Sequence, residues 1–336
     1  MIKTDILIIG AGPVGLFTVF EAGLMKLKCH LIDALPEAGG QLIEIYPKKP
    51  IYDIPGYPAV LAGELVENLM EQAAPFKPGF TLGDRAETID KQPDGQFLVT
   101  TQLGVEHLAP VVIIAGGLGS FEPRKPQLEN LSDFENKGVY YMVKQPEDFL
   151  GKKLLISGGG DSALDWAIYF AEKENTSVTL VHRSDRFRAH KDSVEKAFEL
   201  QETGRMNVIT HGEVSALEGQ NNLESVTIQQ KEQPDQKVTV DCWLPLFGLS
   251  PKLGPIGNWG LAIDKNALVV DNTFDYQTNV PGIFAVGDVN TYPGKLKLIL
   301  CGFHEATLAV QTAYKIINPD KHFTLKYTTV RGIQGF

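Results

Sequence analysis

Near its N-terminus the sequence reads Asp5-Ile-Leu-Ile-Ile-Gly10-Ala-Gly12-Pro-Val-Gly15. Four consecutive apolar residues, Ile6 to Ile9, suit a strand buried on both faces, and the glycine cluster at its end marks a tight turn. A helical pattern then runs to Lys26, and a second apolar stretch, Lys28-Cys-His-Leu-Ile-Asp33, reads as a strand parallel to the first. Strand, glycine turn, helix and parallel strand make one βαβ unit. The spacing Gly-x-Gly-x-x-Gly gives each glycine a separate role. Gly10 permits the turn, Gly12 lets the backbone approach a pyrophosphate, and Gly15 lets helix and strand pack closely. The helix then turns its N-terminal N–H groups and positive dipole end towards the phosphates. Asp33 closes the second strand at the distance expected of an acid that accepts from ribose hydroxyls.

The pattern returns 148 positions later as Lys153-Leu-Leu-Ile-Ser-Gly158-Gly-Gly160-Asp-Ser-Ala163, with a helical stretch to about Lys173 and a strand Ser177-Val-Thr-Leu-Val-His182-Arg183. Alanine is the permitted substitute at the third glycine position. The end of this second strand differs, because no acid stands there. The chain instead reads His182-Arg183-Ser184-Asp185-Arg186-Phe187-Arg188. A carboxylate would repel a 2′-phosphate, whereas guanidinium groups bind one through paired, charge-assisted hydrogen bonds. Two different nucleotides are therefore expected, FAD on the first unit and NADPH on the second. The candidates for NADPH are Gly158, Gly160 and Ala163 in the turn and His182, Arg183 and Arg188 after the strand.

A chain of 336 residues has length for two large cores, and 43% hydrophobic with 21% charged residues is a soluble globular composition. The opening Met-Ile-Lys-Thr-Asp leads directly into the first strand without a signal-peptide pattern, and no apolar stretch has bilayer-spanning length, so a cytoplasmic protein is expected. A net charge of −10 argues against nucleic acid and anionic membranes as partners. The three cysteines, Cys29, Cys242 and Cys301, form no C-x-x-C, which removes a zinc knuckle and a local redox dithiol and leaves three ordinary thiols.

Between and after the two units the sequence is β-rich. Phe97 to Gln102, Val111 to Ala115, Glu224 to Gln230 and Val238 to Trp243 are strand-like, and Gly282-Ile-Phe-Ala-Val-Gly287-Asp288 ends another apolar run. A helix is expected from roughly Gly302 to Ile317. Asp288 suits a carboxylate bonded to a ribityl chain, with that helix aimed at the edge of the flavin where negative charge develops on reduction. The expected fold class is α/β: two Rossmann-like domains, with the NADPH domain inserted in the FAD domain. Glycine-rich crossings at Gly116-Gly-Leu-Gly119 and Gly248-Leu-Ser-Pro251 suit hinges. They place the FAD domain at 1–116 and 252–336 and the NADPH domain at 117–251.

Taken in order, Gly10-x-Gly12-x-x-Gly15, Gly39-Gly-Gln41-Leu, Asp53-Ile-Pro-Gly56, Gly158-Gly-Gly160-Asp-Ser-Ala163, His182-Arg183, Arg188-Ala-His190 and Phe284-Ala-Val-Gly287-Asp288 resemble the thioredoxin-reductase superfamily of flavoproteins over essentially the whole chain. A thioredoxin reductase carries C-x-x-C before its second glycine motif. Here that stretch is Tyr140-Tyr-Met-Val-Lys-Gln-Pro146, without cysteine. The chain is most similar to the bacterial type 2 ferredoxin–NADP+ reductases. It shares with them Ile51-Tyr52-Asp53-Ile-Pro-Gly56, Arg188-Ala-His190 and a C-terminal extension from about residue 319.

This resemblance implies FAD contacts at Asp33, Gln41, Tyr46, Ala86, Phe121, Asp288 and Thr329. It also implies that Tyr52 stacks on the isoalloxazine, while Tyr327 from the partner subunit of a homodimer covers the other face. One departure is Ser184, where the family usually has a second adjacent arginine. The implied activity moves electrons between NADPH, which gives them in pairs, and ferredoxin or a flavodoxin-like carrier, which takes them singly. The flavin carries the chemistry, so neither a catalytic side chain nor a metal is expected. Two rivals stand beside it: an NADPH-dependent flavoprotein reductase of a small acceptor such as a quinone or disulfide, and a flavin-bound redox sensor. An acidic ferredoxin needs a local basic patch on so acidic a protein. The candidates are Lys48 and Lys49 beside the Tyr52 motif and Lys295 and Lys297 beside Asp288.

Overall fold

Ile6–Ile9 forms a strand with three of its four side chains fully buried. It lies at the centre of a five-stranded parallel sheet ordered Ile283–Ala285, Val111–Ile114, Ile6–Ile9, Cys29–Asp33, Gly79–Leu82. Burial on both faces explains why these strands read as continuous apolar runs rather than alternating ones. The winding reverses between Ile6–Ile9 and Val111–Ile114, and the crevice beyond the carboxyl ends of two such strands is where open α/β sheets bind ligands. The helix Pro13–Leu24 packs against both Ala62–Ala73 and Ile299–Ile317. A second, four-stranded sheet is ordered Ile2–Lys3, Glu106–Ala109, Phe97–Thr101, Ala86–Lys91, and its last three strands come from the stretch between the third and fourth parallel strands. This computed structural model describes residues 1–119, 122–231, 233–250 and 252–321.

These elements belong to the first of two compact units, Met1–Ser120 with Pro251–Phe336; the other is Phe121–Ser250. The second repeats the plan of the first. Its parallel sheet is ordered Met206–Thr210, Ser177–His182, Lys153–Ser157, Cys242–Pro245. An antiparallel meander, Gly212–Glu218, Ser225–Gln230 and Gln236–Thr239, again comes between the third and fourth strands. Period-two alternation divides the core. Leu154, Ile156, Leu180 and Leu244 face the helix Asp161–Ala171, whereas Leu155, Val181 and Trp243 face the meander residues Val226 and Ile228. The fully buried Trp243 donates its Nε1–H to Ser157 Oγ at 2.9 Å.

Two sequence expectations are corrected. Val238 to Trp243 is not one strand: Gln236–Thr239 ends the meander and Cys242–Pro245 joins the parallel sheet. Asp241 makes the break, accepting from Lys153 N–H through Oδ2 at 2.7 Å and donating its own N–H to the Lys153 carbonyl at 2.9 Å. The last helix begins at Ile299, so Gly302 lies inside it. A Cβ on Gly302 would stand 2.5 Å from Val14 Cγ2. Gly302 is there for close helix packing, not as a terminator.

The first unit also buries two histidines around one hydroxyl. His30 Nε2 lies 2.8 Å from Thr81 Oγ1, which lies 3.0 Å from His107 Nε2. The Thr81 hydroxyl has one proton, so at most one ring accepts from it and at least one ring donates to it. Burial, helped by His107, pushes His30 down to about 4, and burial lowers His107 as well. A histidine held below its unfolded value near 6.5 contributes stability above that pH and loses it as the pH falls towards 4. The thermal midpoint of the wild type should therefore drop more between pH 6.5 and 4 than that of His30→Gln, whose amide can bond Thr81 without titrating. Parallel pH profiles of the two proteins would contradict this.

Candidate nucleotide sites

The glycines of the first turn divide by what surrounds them. Gly10 has φ +111°, and a Cβ there would lie 2.5 Å from the Ala115 carbonyl oxygen beyond the neighbouring strand. At Gly15 a Cβ would lie 2.0 Å from the Gly10 carbonyl oxygen. At Gly12 it would meet nothing within 4 Å. The outer two glycines are thus demanded by the protein itself, while the middle one faces open space at the N-cap of Pro13–Leu24. No side chain caps that helix end, so the surroundings fit an approaching phosphate.

Asp33 ends its strand directly beneath this turn. Its Oδ2 accepts from Ala11 N–H at 2.6 Å and its Oδ1 from Leu35 N–H at 2.9 Å. Burial raises its pKa, opposed by N–H groups of Leu35, Ala11 and Ala34. The carboxylate therefore locks the turn, and each oxygen retains a lone pair for a ribose hydroxyl.

Other nominated residues converge on the same end of the sheet. Gly39 N–H donates to the Ala11 carbonyl at 2.8 Å, and a Cβ on Gly40, at φ +57°, would come within 3.2 Å of Gly12 Cα. That close approach delivers Gln41, the first residue of the short helix Gln41–Glu44. Asp84 N–H donates to the Asp33 carbonyl at 3.1 Å, which brings the buried Ala86 to this edge. Gly287, at φ +77°, lies against Val14 and carries Asp288 to the start of Pro13–Leu24. Burial raises the Asp288 pKa, against the lowering effect of Lys295 and Lys297. Burial raises the pKa of Tyr46, and the charges of Asp288 and Asp53 raise it further. Tyr52 lies in the loop joining strands Pro50–Ile51 and Val60–Leu61; Ile54 anchors the loop in the core and Tyr52 is 71% exposed. Phe121, Tyr327 and Thr329 lie outside the described residues.

The second turn follows the same rule. A Cβ on Gly158 would lie 2.6 Å from the Leu246 carbonyl oxygen and 2.8 Å from Ala163 Cβ, whereas one on Gly160 would meet nothing within 4 Å. Gly160 is the uncapped N-terminus of Asp161–Ala171. His182 packs under the turn so closely that a Cβ on Gly159 would be 2.3 Å from its ring. Its Nε2–H donates to the Arg186 carbonyl at 3.1 Å, and burial lowers its pKa, with Arg183 and Arg188 adding to the effect. Ser184 bonds within the same loop through Arg186.

The chain then returns over the helix start. Arg188 N–H donates to the Gly159 carbonyl at 2.6 Å and His190 N–H to Asp161 Oδ1 at 2.9 Å, while His190 caps Lys191–Glu202. Arg183, Arg186 and Arg188 are exposed, and among the described residues none of their guanidinium groups has a hydrogen-bond or ion-pair partner.

Some features escaped the sequence reading. Gly159 and Asp161 organise the second turn, and Glu305 is completely buried in the last helix. The signal for Glu305 was present: it is the single acid in the stretch Ile299–Ile317. Lys295 is corrected as a docking lysine, because its side chain is 5% exposed and paired with Glu305. Lys48 and Lys297 are exposed. Cys29 and Cys242 are buried and Cys301 is half-buried, all as free thiols. Among the described residues no helix is long and apolar enough to cross a membrane, and no group of metal-ligating side chains is gathered.

Two winding sheets, each ending in a glycine turn with an open middle residue, define a two-nucleotide oxidoreductase. The chain belongs to the pyridine nucleotide-disulphide oxidoreductase family, whose description matches residues 4–313. It is 65% identical over 338 aligned positions to ferredoxin–NADP reductase 1 of Christiangramia forsetii, covering 100% of this chain and 96% of that one. It is 63% identical to the ferredoxin–NADP reductase of Flavobacterium johnsoniae, covering 100% and 95% respectively. In structure it is similar to the thioredoxin reductase of Lactococcus lactis, with a TM-score of 0.78 at 25% identity, covering 94% of this chain and 100% of that one.

The environments of the glycines generate a paired prediction. Gly15→Ala should lower unfolding free energy by about 1–3 kcal/mol through overpacking. Gly12→Ala, at φ −74°, should leave it unchanged or raise it by up to about 1 kcal/mol, yet weaken flavin retention. Equal denaturation midpoints for the two variants would refute this division of labour.

Proposed function

We propose that this protein is a ferredoxin–NADP+ reductase, with FAD held by the 1–116 and 252–336 portion and NADPH by 117–251. The observation that carries the reading is the contrast between the strand ends: a carboxylate tucked under the first turn, and exposed guanidinium groups around the second. Bound FAD supplies the exchange between electron pairs from NADPH and single electrons for an iron–sulfur protein.

The chain's own residues bind and orient. The Gly12 backbone and the start of Pro13–Leu24 receive the pyrophosphate, and Asp33 receives ribose. Gln41, Tyr46, Ala86 and Asp288 line the remainder of the flavin site. Exposed Tyr52 provides an aromatic face for the isoalloxazine and excludes water from it. Gly160 and the start of Asp161–Ala171 receive the NADPH pyrophosphate. Arg183 and Arg188 receive the 2′-phosphate, with Arg186 beside them where Ser184 replaces an arginine. His182 supports the turn from below and keeps that loop in place.

The high identity to ferredoxin–NADP reductases along the full chain supports ferredoxin as the partner, and the resemblance to type 2 enzymes supports a cytoplasmic homodimer. A disulfide acceptor is disfavoured by the absence of C-x-x-C.

Steady-state rates should be high with NADPH plus ferredoxin and cytochrome c, and low with a disulfide in place of ferredoxin. Arg188→Ala should raise the KM for NADPH about tenfold or more, the value of a charge-assisted hydrogen bond, and leave that for NADH unchanged. Equal losses with both nucleotides, or reduction of a disulfide at the ferredoxin rate, would overturn the assignment.

A further inference from the structure

We infer that Glu305 is a positioning residue for the flavin: it fixes the segment that carries Asp288, and its charge, balanced by Lys295, forms part of the field in which the flavin is reduced. This rests on the reading of the first turn as the FAD site.

Glu305 is the one acid of the helix Ile299–Ile317, and its side chain is 1% exposed. A buried carboxylate is costly unless its lone pairs are filled. Here each oxygen has two donors. Oε2 accepts from Gly287 N–H at 2.7 Å and from Asn290 Nδ2 at 2.9 Å. Oε1 accepts from the Tyr292 hydroxyl at 2.8 Å and from Lys295 Nζ at 2.5 Å. All four donors lie in residues 287–295, so one side chain gathers the loop that begins at Gly287 and displays Asp288. Asn290 extends the hold to the sheet by donating to the Ala285 carbonyl at 2.8 Å.

An apolar side chain could fill the same volume in the helix, but it could not fix the N–H that precedes Asp288. The carboxylate is therefore explained by the loop it holds. Its charge also reaches the site: burial raises the Asp288 pKa, Lys295 and Lys297 lower it, and Glu305 adds to the rise. Tyr276 and Tyr292, whose rings lie 5.5 Å apart, and Cys301 complete the groups around the pair.

Reduction places negative charge on the flavin, so a net positive change nearby favours it and a net negative change opposes it. Glu305→Gln and Lys295→Met disturb the same packing but change charge in opposite directions. In holoenzyme, the midpoint potential of bound FAD should rise with Glu305→Gln, fall with Lys295→Met and return towards wild type in the double variant. Loss of a loop anchor should also weaken FAD affinity on the order of tenfold or more in each single variant, as for other groups that orient ligands from behind.

Potentials that stay at the wild-type value, or that move together, would overturn the inference, since a purely structural role predicts no opposed signs. Should neither charge variant accumulate as folded holoenzyme, Tyr292→Phe decides, because it removes one neutral donor and keeps the charge balance. Faster FAD release at unchanged potential is expected, and wild-type release would overturn the inference. Failure of the wild type itself to bind FAD would instead remove the reading of the site.

Discussion

Residue 15 has room for nothing beyond a hydrogen, because a Cβ would stand 2.0 Å from the Gly10 carbonyl oxygen. That one contact fixes how closely Pro13–Leu24 approaches the strand before it, and hence where the helix N-terminus points. The rest of the first site is arranged around it. Asp33 holds the turn from below through Ala11, Gly39 and Gly40 close over it, and Gly287 brings Asp288 against Val14. Only Gly12 among the three glycines of the turn is left facing outward, where a bound group has to come.

The second unit solves the same problem with a methyl group at the third position of the turn. Ala163 brings a Cβ into the helix–strand contact, and Gly158 is the residue that can bear none, being wedged between that methyl and the Leu246 carbonyl. Gly160 again faces outward. What differs is the supporting group. An acid bonded to the turn in the first unit is replaced by a buried His182 and a loop of exposed arginines in the second. One architecture thereby carries opposite charges beside two equivalent turns.

Much of this was legible in the sequence because it depends on local rules. The apolar runs, the glycine spacing and the terminal Asp33 or Arg183 each follow from residues close together along the chain. What was not legible came from distant contacts. Gly302 read as a helix start because nothing local reveals Val14 packed against it. The single run Val238 to Trp243 concealed a change of sheet, enforced by Asp241 bonding to Lys153, a residue far back in the chain. Lys295 read as a surface cation for the same reason, since its partner lies a turn and a half into the next helix. Gly159 was simply one glycine among three until the His182 ring was found beneath it.

The central claim is that the open glycine of the first turn receives a flavin nucleotide and that of the second receives NADPH. The most direct test is the visible spectrum of the purified protein, taken under anaerobic conditions before and after NADPH is added. A flavin spectrum in one-to-one ratio with the chain, bleached by NADPH, is the predicted result. A colourless protein that takes up no added FAD, or a flavin that NADPH leaves oxidised, would contradict it.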